Sequence, residues 1–154
     1  MKRKGYRNIQ KGKFIPRHPE KYKGNPKGII YRSSLELEFC NYLDNNPHVL
    51  EWASEEFCIP YFDPAKNKPR RYFPDFWMKA KKGDKIKTMV VEIKPYSQTK
   101  PPNTKGRKKK ETLIKEAVTY STNEAKWDAA EQFCKTKGWE FVIVTEKELR
   151  GSNK

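Results

Sequence analysis

Residues 71–96 read RYFPDFWMKAKKGDKIKTMVVEIKPY, two apolar runs on either side of a polar tip. The first run, 71–80, is rich in aromatic residues. The tip, Lys81-Lys82-Gly83-Asp84-Lys85, has a glycine on which to turn, and the second run, 88–94, is broken only by Glu92 and Lys94. This is the pattern of a β-hairpin. Side chains alternate across a strand, so Glu92 and Lys94 share one face while Val91 and Ile93 take the other. Asp75, which follows Pro74 on the facing arm, can lie beside Glu92. Two carboxylates and one ammonium on a single face exceed what a structural hairpin needs. Paired carboxylates suit a hard divalent ion such as Mg²⁺, which prefers oxygen ligands and keeps several waters. A lysine beside them can orient or help deprotonate an attacking water, or offset charge on a phosphate. The plainer alternative is an exposed strand face on which Glu92 and Lys94 pair across solvent, since E-x-K alone is a common pattern.

The 154 residues make one domain with length for a modest core. Hydrophobic content is 35% and mean hydropathy is −1.04, so part of the chain is expected to stay outside that core. No apolar run approaches the roughly 18 residues that a membrane span requires. The basic N-terminus has no apolar segment of the signal-peptide kind, which predicts a cytosolic protein. Cys40, Cys58 and Cys134 are widely spaced and form no C-x-x-C pair, which argues for reduced thiols. His18 and His48 have no partner at metal-ligand spacing, which disfavours a zinc site or a histidine-activated nucleophile.

The net charge of +15 is unevenly placed. Residues 1–28 carry ten Lys or Arg and one acid, Glu20, and residues 94–110 carry seven Lys or Arg and no acid. These two segments account for more than the whole net charge. Concentrated positive charge of this kind suits a phosphate backbone. No amphipathic apolar face accompanies either segment, so nucleic acid is the better expected partner than a membrane surface.

Residues 1–28 have no sustained period and read as a flexible basic arm, whose Tyr6, Phe14 and Tyr22 either stack on bases or anchor it to the domain. Residues 29–150 form the domain. Ser33, with Glu36 three residues later, fits a capping box for a helix running to about Asn45. That alone would explain Glu36; its functional reading is a third carboxylate set against the hairpin. Residues 49–52 and 56–62 predict short strands, and 63–68 a bend. Lys66, Lys68, Arg70 and Arg71 beside that bend form either a phosphate track or a solvated edge. Residues 95–110, with adjacent prolines at 101 and 102, predict a basic loop emerging from the proposed active strand. Lys100, Lys105, Arg107, Lys108, Lys109 and Lys110 are its candidate DNA contacts. Helical patterning resumes in two pieces, about 111–120 and 123–137, with Gly138 as C-cap. In the second piece Trp127, Ala130, Phe133 and Cys134 form a core stripe and Lys126 can reach phosphate. Residues 139–145 predict a buried strand, and 146–149 a closing turn. The expected fold is α/β, a mixed sheet flanked by helices.

Pro74-Asp75, then Glu92-Ile93-Lys94, with a glutamate upstream in Arg32-Ser33-Ser34-Leu35-Glu36, resembles the PD-(D/E)xK nuclease superfamily. The R-S-x-x-E helix entry is similar to phage endonuclease I-type junction resolvases and TnsA-type transposon-end endonucleases. A closer resemblance, over about residues 21–149, is to the head completion proteins of large myoviruses. It is carried by Ile30-Tyr31-Arg32-Ser33-Ser34, Trp52-Ala53-Ser54-Glu55-Glu56, Arg71-Tyr72-Phe73-Pro74-Asp75-Phe76-Trp77, the run from Lys94 to Pro102, Ala125-Lys126-Trp127 and the ending at 139–149.

The resemblance implies a restriction-endonuclease-like PD-(D/E)xK core and a Mg²⁺-dependent DNA endonuclease, with Mn²⁺ able to substitute. Asp75, Glu92 and the backbone carbonyl of Ile93 would hold the metal, Glu36 would complete the acidic cluster, and Lys94 would manage the water. The TnsA type has a glutamine where this chain has Glu92. The implied setting is the host cytoplasm during assembly and the virion, with DNA and head or portal vertex proteins as partners. Two other functions stay open: a non-enzymatic plug that grips DNA in the filled head, and a junction-resolving or transposon-end nuclease acting as a homodimer.

Overall fold

In the computed structural model, which describes residues 11–150, the chain runs β1 (Gly12–Lys13), β2 (Ile30–Tyr31), α1 (Ser34–Asn45), β3 (Val49–Ser54), β4 (Ile59–Asp63), β5 (Lys68–Tyr72), β6 (Phe76–Lys82), β7 (Lys85–Ile93), α2 (Lys110–Lys137), β8 (Glu140–Val144) and α3 (Glu146–Arg150). Strands β6 and β7 are the expected hairpin, antiparallel from Phe76↔Val91 to Lys82↔Lys85. Gly83, at φ +66, occupies the left-handed position of the turn, where a side chain would be strained. The sheet order is β3-β6-β7-β8; β3 and β6 are antiparallel, and β8 is parallel to β7 with Glu92 opposite Ile143. A parallel pair needs a long crossover, and α2 supplies it. The fold is thus mixed α/β and restriction-endonuclease-like.

Alternation along β7 divides the protein into two cores. Met89, Val91 and Ile93 join Phe76, Met78, Trp52 and the α1 residues Phe39, Cys40 and Leu43 on one side. Ile59 and Tyr61 of β4, Tyr72 of β5 and Ala130 of α2 form the second cluster. Cys40, Cys58 and Cys134 are all free, and burial pushes the Cys40 thiol up to about 12.

Five features differ from the sequence expectation. Residues 71–80 are not one arm: β5 pairs with β4 in a separate two-stranded sheet, and the chain bends through 73–75 before β6 begins. Pro74 lacks the N–H that a continuous strand would use. The proposed two-piece helix is one 28-residue helix, unbroken through Ser121-Thr122, where the Thr122 hydroxyl donates to buried Asp63 at 3.4 Å. Within the 95–110 loop, Tyr96–Thr99 forms a 3₁₀ turn ahead of the paired prolines, and the closing segment is the short helix α3. Residues 11–28 lie on the domain, not away from it. Phe14 and Tyr22 are buried against Trp52, at ring-centroid distances of 6.0 and 4.8 Å. Asp44 accepts from the Arg17 and His18 N–H groups, and Lys21 Nζ donates to the carbonyls of Leu43, Asp44 and Asn46. The aromatic residues of this segment therefore anchor it, as one of the two readings had it. Residues 1–10, with Tyr6, lie outside the described residues.

Candidate active site

The site forms where β7 ends and β6 begins. Asp75 is held just before β6 by two bonds. Its Oδ2 accepts from the Ile93 N–H at 2.8 Å, and its carbonyl accepts from the Glu55 N–H at 3.2 Å. The strand-to-strand link through Ile93 places Asp75 next to Glu92. Glu92 points to the α2 face and is buried; its Oε1 accepts from the Tyr72 hydroxyl at 2.5 Å. Lys94 Nζ lies 3.7 Å from Glu92 Oε2, so the two side chains share a face as alternation requires. The Lys94 N–H donates to the Val144 carbonyl, which extends the β7–β8 ladder under the ammonium.

Burial pushes the Asp75 carboxyl well above its ordinary range, and the Glu92 charge adds to that. The Ile93 N–H opposes it, Glu36 reinforces it, and Lys94 opposes it. Glu92 is also raised by burial, against the Tyr72 hydroxyl, Lys94 and Lys126. Two carboxyls that disfavour each other's ionisation in a desolvated place are a ready seat for a cation, which would reverse that preference.

Glu36 plays the structural role that its spacing suggested. Its N–H donates to Ser33 Oγ at 3.1 Å, capping α1, while its Oε1 accepts from the Arg32 N–H at 2.9 Å. The return bond of the capping box thus lands one residue earlier than Ser33. Burial raises the Glu36 carboxyl, and Lys94 is among the charges acting on it. Glu36 therefore borders the pair electrostatically. Among the described residues no three or more of His, Cys, Asp and Glu are gathered closely enough to hold a metal. Asp75 and Glu92 are the two carboxylates here that could meet a hard divalent ion.

The expected DNA contacts divide into two groups. Arg70 lies 3.8 Å from buried Asp63, Lys108 pairs with Glu116 at 2.9 Å, Lys100 sits over the Tyr96 ring and Arg71 over Phe73. Lys105, Arg107, Lys109 and Lys110 are exposed on the loop and at the start of α2. The loop's cations are not among the charges that act most strongly on Asp75 and Glu92.

Three participants escaped the sequence reading. Tyr72 was legible only as part of an aromatic arm, yet it is the hydrogen-bond donor to Glu92. Lys126 was noted only as a phosphate contact; it acts on Glu92 and lies over the Tyr72 ring at 5.8 Å. Glu55 carries its backbone at φ +53, holds the Asp75 carbonyl and pairs with Arg32 at 2.7 Å. No sequence signal marks a glutamate for that left-handed position.

A family model described as TnsA-like endonuclease N terminal matches residues 46–146. The chain belongs to the TnsA-like endonuclease N-terminal family. The chain is also similar to the head completion nuclease of Enterobacteria phage T4. The two are 42% identical over 144 residues, which cover 90% of this chain and 93% of that protein. The TnsA-like match contains Asp75, Glu92 and Lys94 together with Tyr72, Glu55 and Lys126; Glu36, on α1, lies ahead of it.

Proposed function

We propose that this protein is a divalent-metal-dependent DNA endonuclease of PD-(D/E)xK type that processes packaged DNA as the phage head is completed. The observation that carries the reading is the Asp75–Glu92–Lys94 cluster: two desolvated carboxyls with an ammonium 3.7 Å from one of them. The TnsA-like endonuclease family and the similarity to a head completion nuclease support the activity and its setting.

Asp75 and Glu92 would hold Mg²⁺, or Mn²⁺ in its place, with the Ile93 carbonyl as a further ligand. Bound there, the ion supplies charge neutralisation at the scissile phosphate and a lowered pKa for water. The protein's own groups do the rest. The Ile93 N–H and the Tyr72 hydroxyl each hold one oxygen of the two carboxylates and so restrain their rotamers. Lys94 Nζ, held beside Glu92, positions the attacking water in line with the phosphorus or steadies a non-bridging phosphate oxygen. Lys126 adds positive charge from the α2 side, where the phosphate enters. Glu36 keeps α1 capped and adds a negative charge at the border of the site. The exposed cations of the 95–110 loop track the backbone of the same duplex, and the Lys and Arg of residues 1–10 would add to its attraction. Partners beyond DNA would be head or portal vertex proteins, met in the host cytoplasm during assembly or in the virion.

The test is cleavage of supercoiled, linear and four-way-junction DNA with Mg²⁺, Mn²⁺ or EDTA, beside Asp75→Asn. Metal-dependent cutting that the variant loses while still binding DNA is the expected result. Undiminished cutting by the variant would remove Asp75 from the site. Binding with no cutting in any metal, together with normal head completion by Asp75→Asn in phage, would establish a DNA-gripping plug instead.

A further inference from the structure

Asn123, on α2, is a buried polar residue whose amide faces a cleft and not a protein partner. Asn123 is 7% exposed, yet its amide takes no hydrogen bond among the described residues. Its amide atoms are not sealed from water, since among the described residues the buried side-chain atoms without a partner are the Trp52 and Trp127 indole nitrogens; the Asn123 amide is thus free to bond what enters the cleft. Asn123 lies on α2 at the wall of a cleft of about 590 Å³, formed between α2 and the 3₁₀ turn and loop that leave β7. The volume is that of a small-ligand site. The same residue also lines a second cleft that contains Lys126, one helical turn further on. Lys126 is a cation that acts on Glu92. Asn123 thus stands between its cleft and the one that holds Lys126.

The other walls suggest what fits. Tyr120, one turn before Asn123, offers an aromatic ring. Gln98 from the 3₁₀ turn adds a second amide, and Lys115 adds a cation. Glu116 also lines the cleft, but its charge is paired with Lys108 at 2.9 Å. An amide pair, a ring and a flanking ammonium match the edge, the face and the phosphate of a single nucleotide. A paired base in duplex cannot present its edge and face to such a pocket; an unpaired one can.

We propose that the cleft between α2 and the loop after β7 is a subsite for one unpaired nucleotide, with Asn123 bonding the base edge and Tyr120 stacking on its face. This rests on the nuclease reading and names its substrate class: DNA with a single-stranded tail, flap or branch beside the scissile phosphate, in preference to blunt duplex. Asn123 and Tyr120 bind substrate in this scheme; they take no part in the bond-breaking step.

The experiment measures binding by fluorescence anisotropy, in EDTA, with the full chain. The probes are a blunt duplex and the same duplex with a short single-stranded tail containing 2-aminopurine at its first unpaired position. The expected result is that the tailed probe binds about tenfold tighter than the blunt one, from one stacked base, with 2-aminopurine emission quenched on binding. Asn123→Ala and Tyr120→Ala should each pull the ratio toward one, and Tyr120→Ala should restore the emission. A wild-type ratio near one would overturn the proposal, as would a ratio that both variants leave unchanged. Thermal melting keeps the comparison sound: Asn123 has no partner to lose, and Tyr120 is only half-buried, so both variants should melt near wild type. Because the ratio is read without metal or cleavage, a protein that binds tails but cuts nothing would sink the nuclease reading and leave the subsite standing. Free deoxynucleoside monophosphate, added as competitor, separates a pocket for DNA from one for loose nucleotides. Competition only at concentrations far above that of the DNA fits the proposal; competition at equal concentration contradicts it.

Discussion

Removing one oxygen atom tests the core of the site. Tyr72→Phe deletes the hydroxyl that donates to Glu92 at 2.5 Å and leaves the ring in its packing with Ile59 and Ala130. A hydrogen bond to a charged group contributes about 1.5–3 kcal/mol. At about 1.36 kcal/mol for each pKa unit, its loss should raise the Glu92 carboxyl by about one to two units. The direction follows because the phenol stabilises only the ionised form, and burial already raises Glu92 above its ordinary value. Holding a cation requires ionised Glu92, so activity is present above its pKa and falls as pH drops through it. Tyr72→Phe should therefore move the acid limb of the kcat/KM profile upward by about one to two pH units. On the acid limb its rate should be about 10- to 100-fold lower than wild type, and on the alkaline plateau it should approach wild type. Stability should move in step. A carboxyl whose folded pKa is raised contributes most stability below its unfolded value, and that contribution is lost as pH rises through the folded value. The melting-temperature gap between Tyr72→Phe and wild type should thus be small near pH 4 and widen toward pH 8. Superimposable pH profiles, with the variant folded, would refute the assigned role of Tyr72 and the requirement for ionised Glu92.

Asp75→Asn should abolish cleavage and, because the Asp75 carboxyl is held well above its ordinary range, raise the melting temperature above that of wild type at pH 7.5 but not near pH 4; a fall at pH 7.5 would show that the pair is not mutually strained. Glu36→Gln keeps a side-chain oxygen for the Arg32 N–H and should melt within about 0.5 kcal/mol of wild type with cleavage reduced less than tenfold, whereas Glu36→Ala should lose about 1 kcal/mol of stability; loss of cleavage in Glu36→Gln as complete as in Asp75→Asn would make Glu36 a metal ligand after all. Deleting residues 1–10 removes four Lys or Arg and should flatten the salt dependence of DNA affinity by a slope of up to about 3–4 with no change in melting. Deleting 1–28 should unfold or strongly destabilise the protein, since Phe14 and Tyr22 are core residues; a stable 29–154 fragment would contradict that packing.

The hairpin, Asp75, Glu92 and Lys94 were legible because a strand's period of two determines which side chains share a face, and the E-I-K spacing obeys it. The capping box was legible for a similar reason, as Ser33 and Glu36 are local partners. Tyr72 was not, because its contact with Glu92 spans two different sheets, and no local pattern distinguishes a strand that continues into the hairpin from one that bends away at Pro74. The anchoring of residues 11–28 was hidden by composition. Basic and Gly/Pro-rich sequence reads as free chain, but Lys21 is bound by three carbonyls at the end of α1, and two buried rings anchor an otherwise largely exposed segment. The unbroken α2 was missed because Ser121-Thr122 are weak helix formers; the bond to Asp63 offsets that preference only in the folded state.

These long-range bonds also explain why the site can be both strained and well defined. Asp75 is tied to β7 through the Ile93 N–H and to the end of β3 through Glu55; Glu92 is tied to β5 through Tyr72 and influenced from α2 by Lys126. Each carboxyl is thus located by an element other than its own, and both are kept where burial disfavours their charge. A flexible loop bearing the same residues would let the two carboxylates separate and relax toward ordinary pKa values, which would remove the preference for a cation between them. The left-handed Glu55, the bend at Pro74 and the separate β4–β5 sheet follow the same logic. They interrupt a regular hairpin so that Tyr72 and Asp75, three residues apart in sequence, reach the carboxylate cluster from different directions.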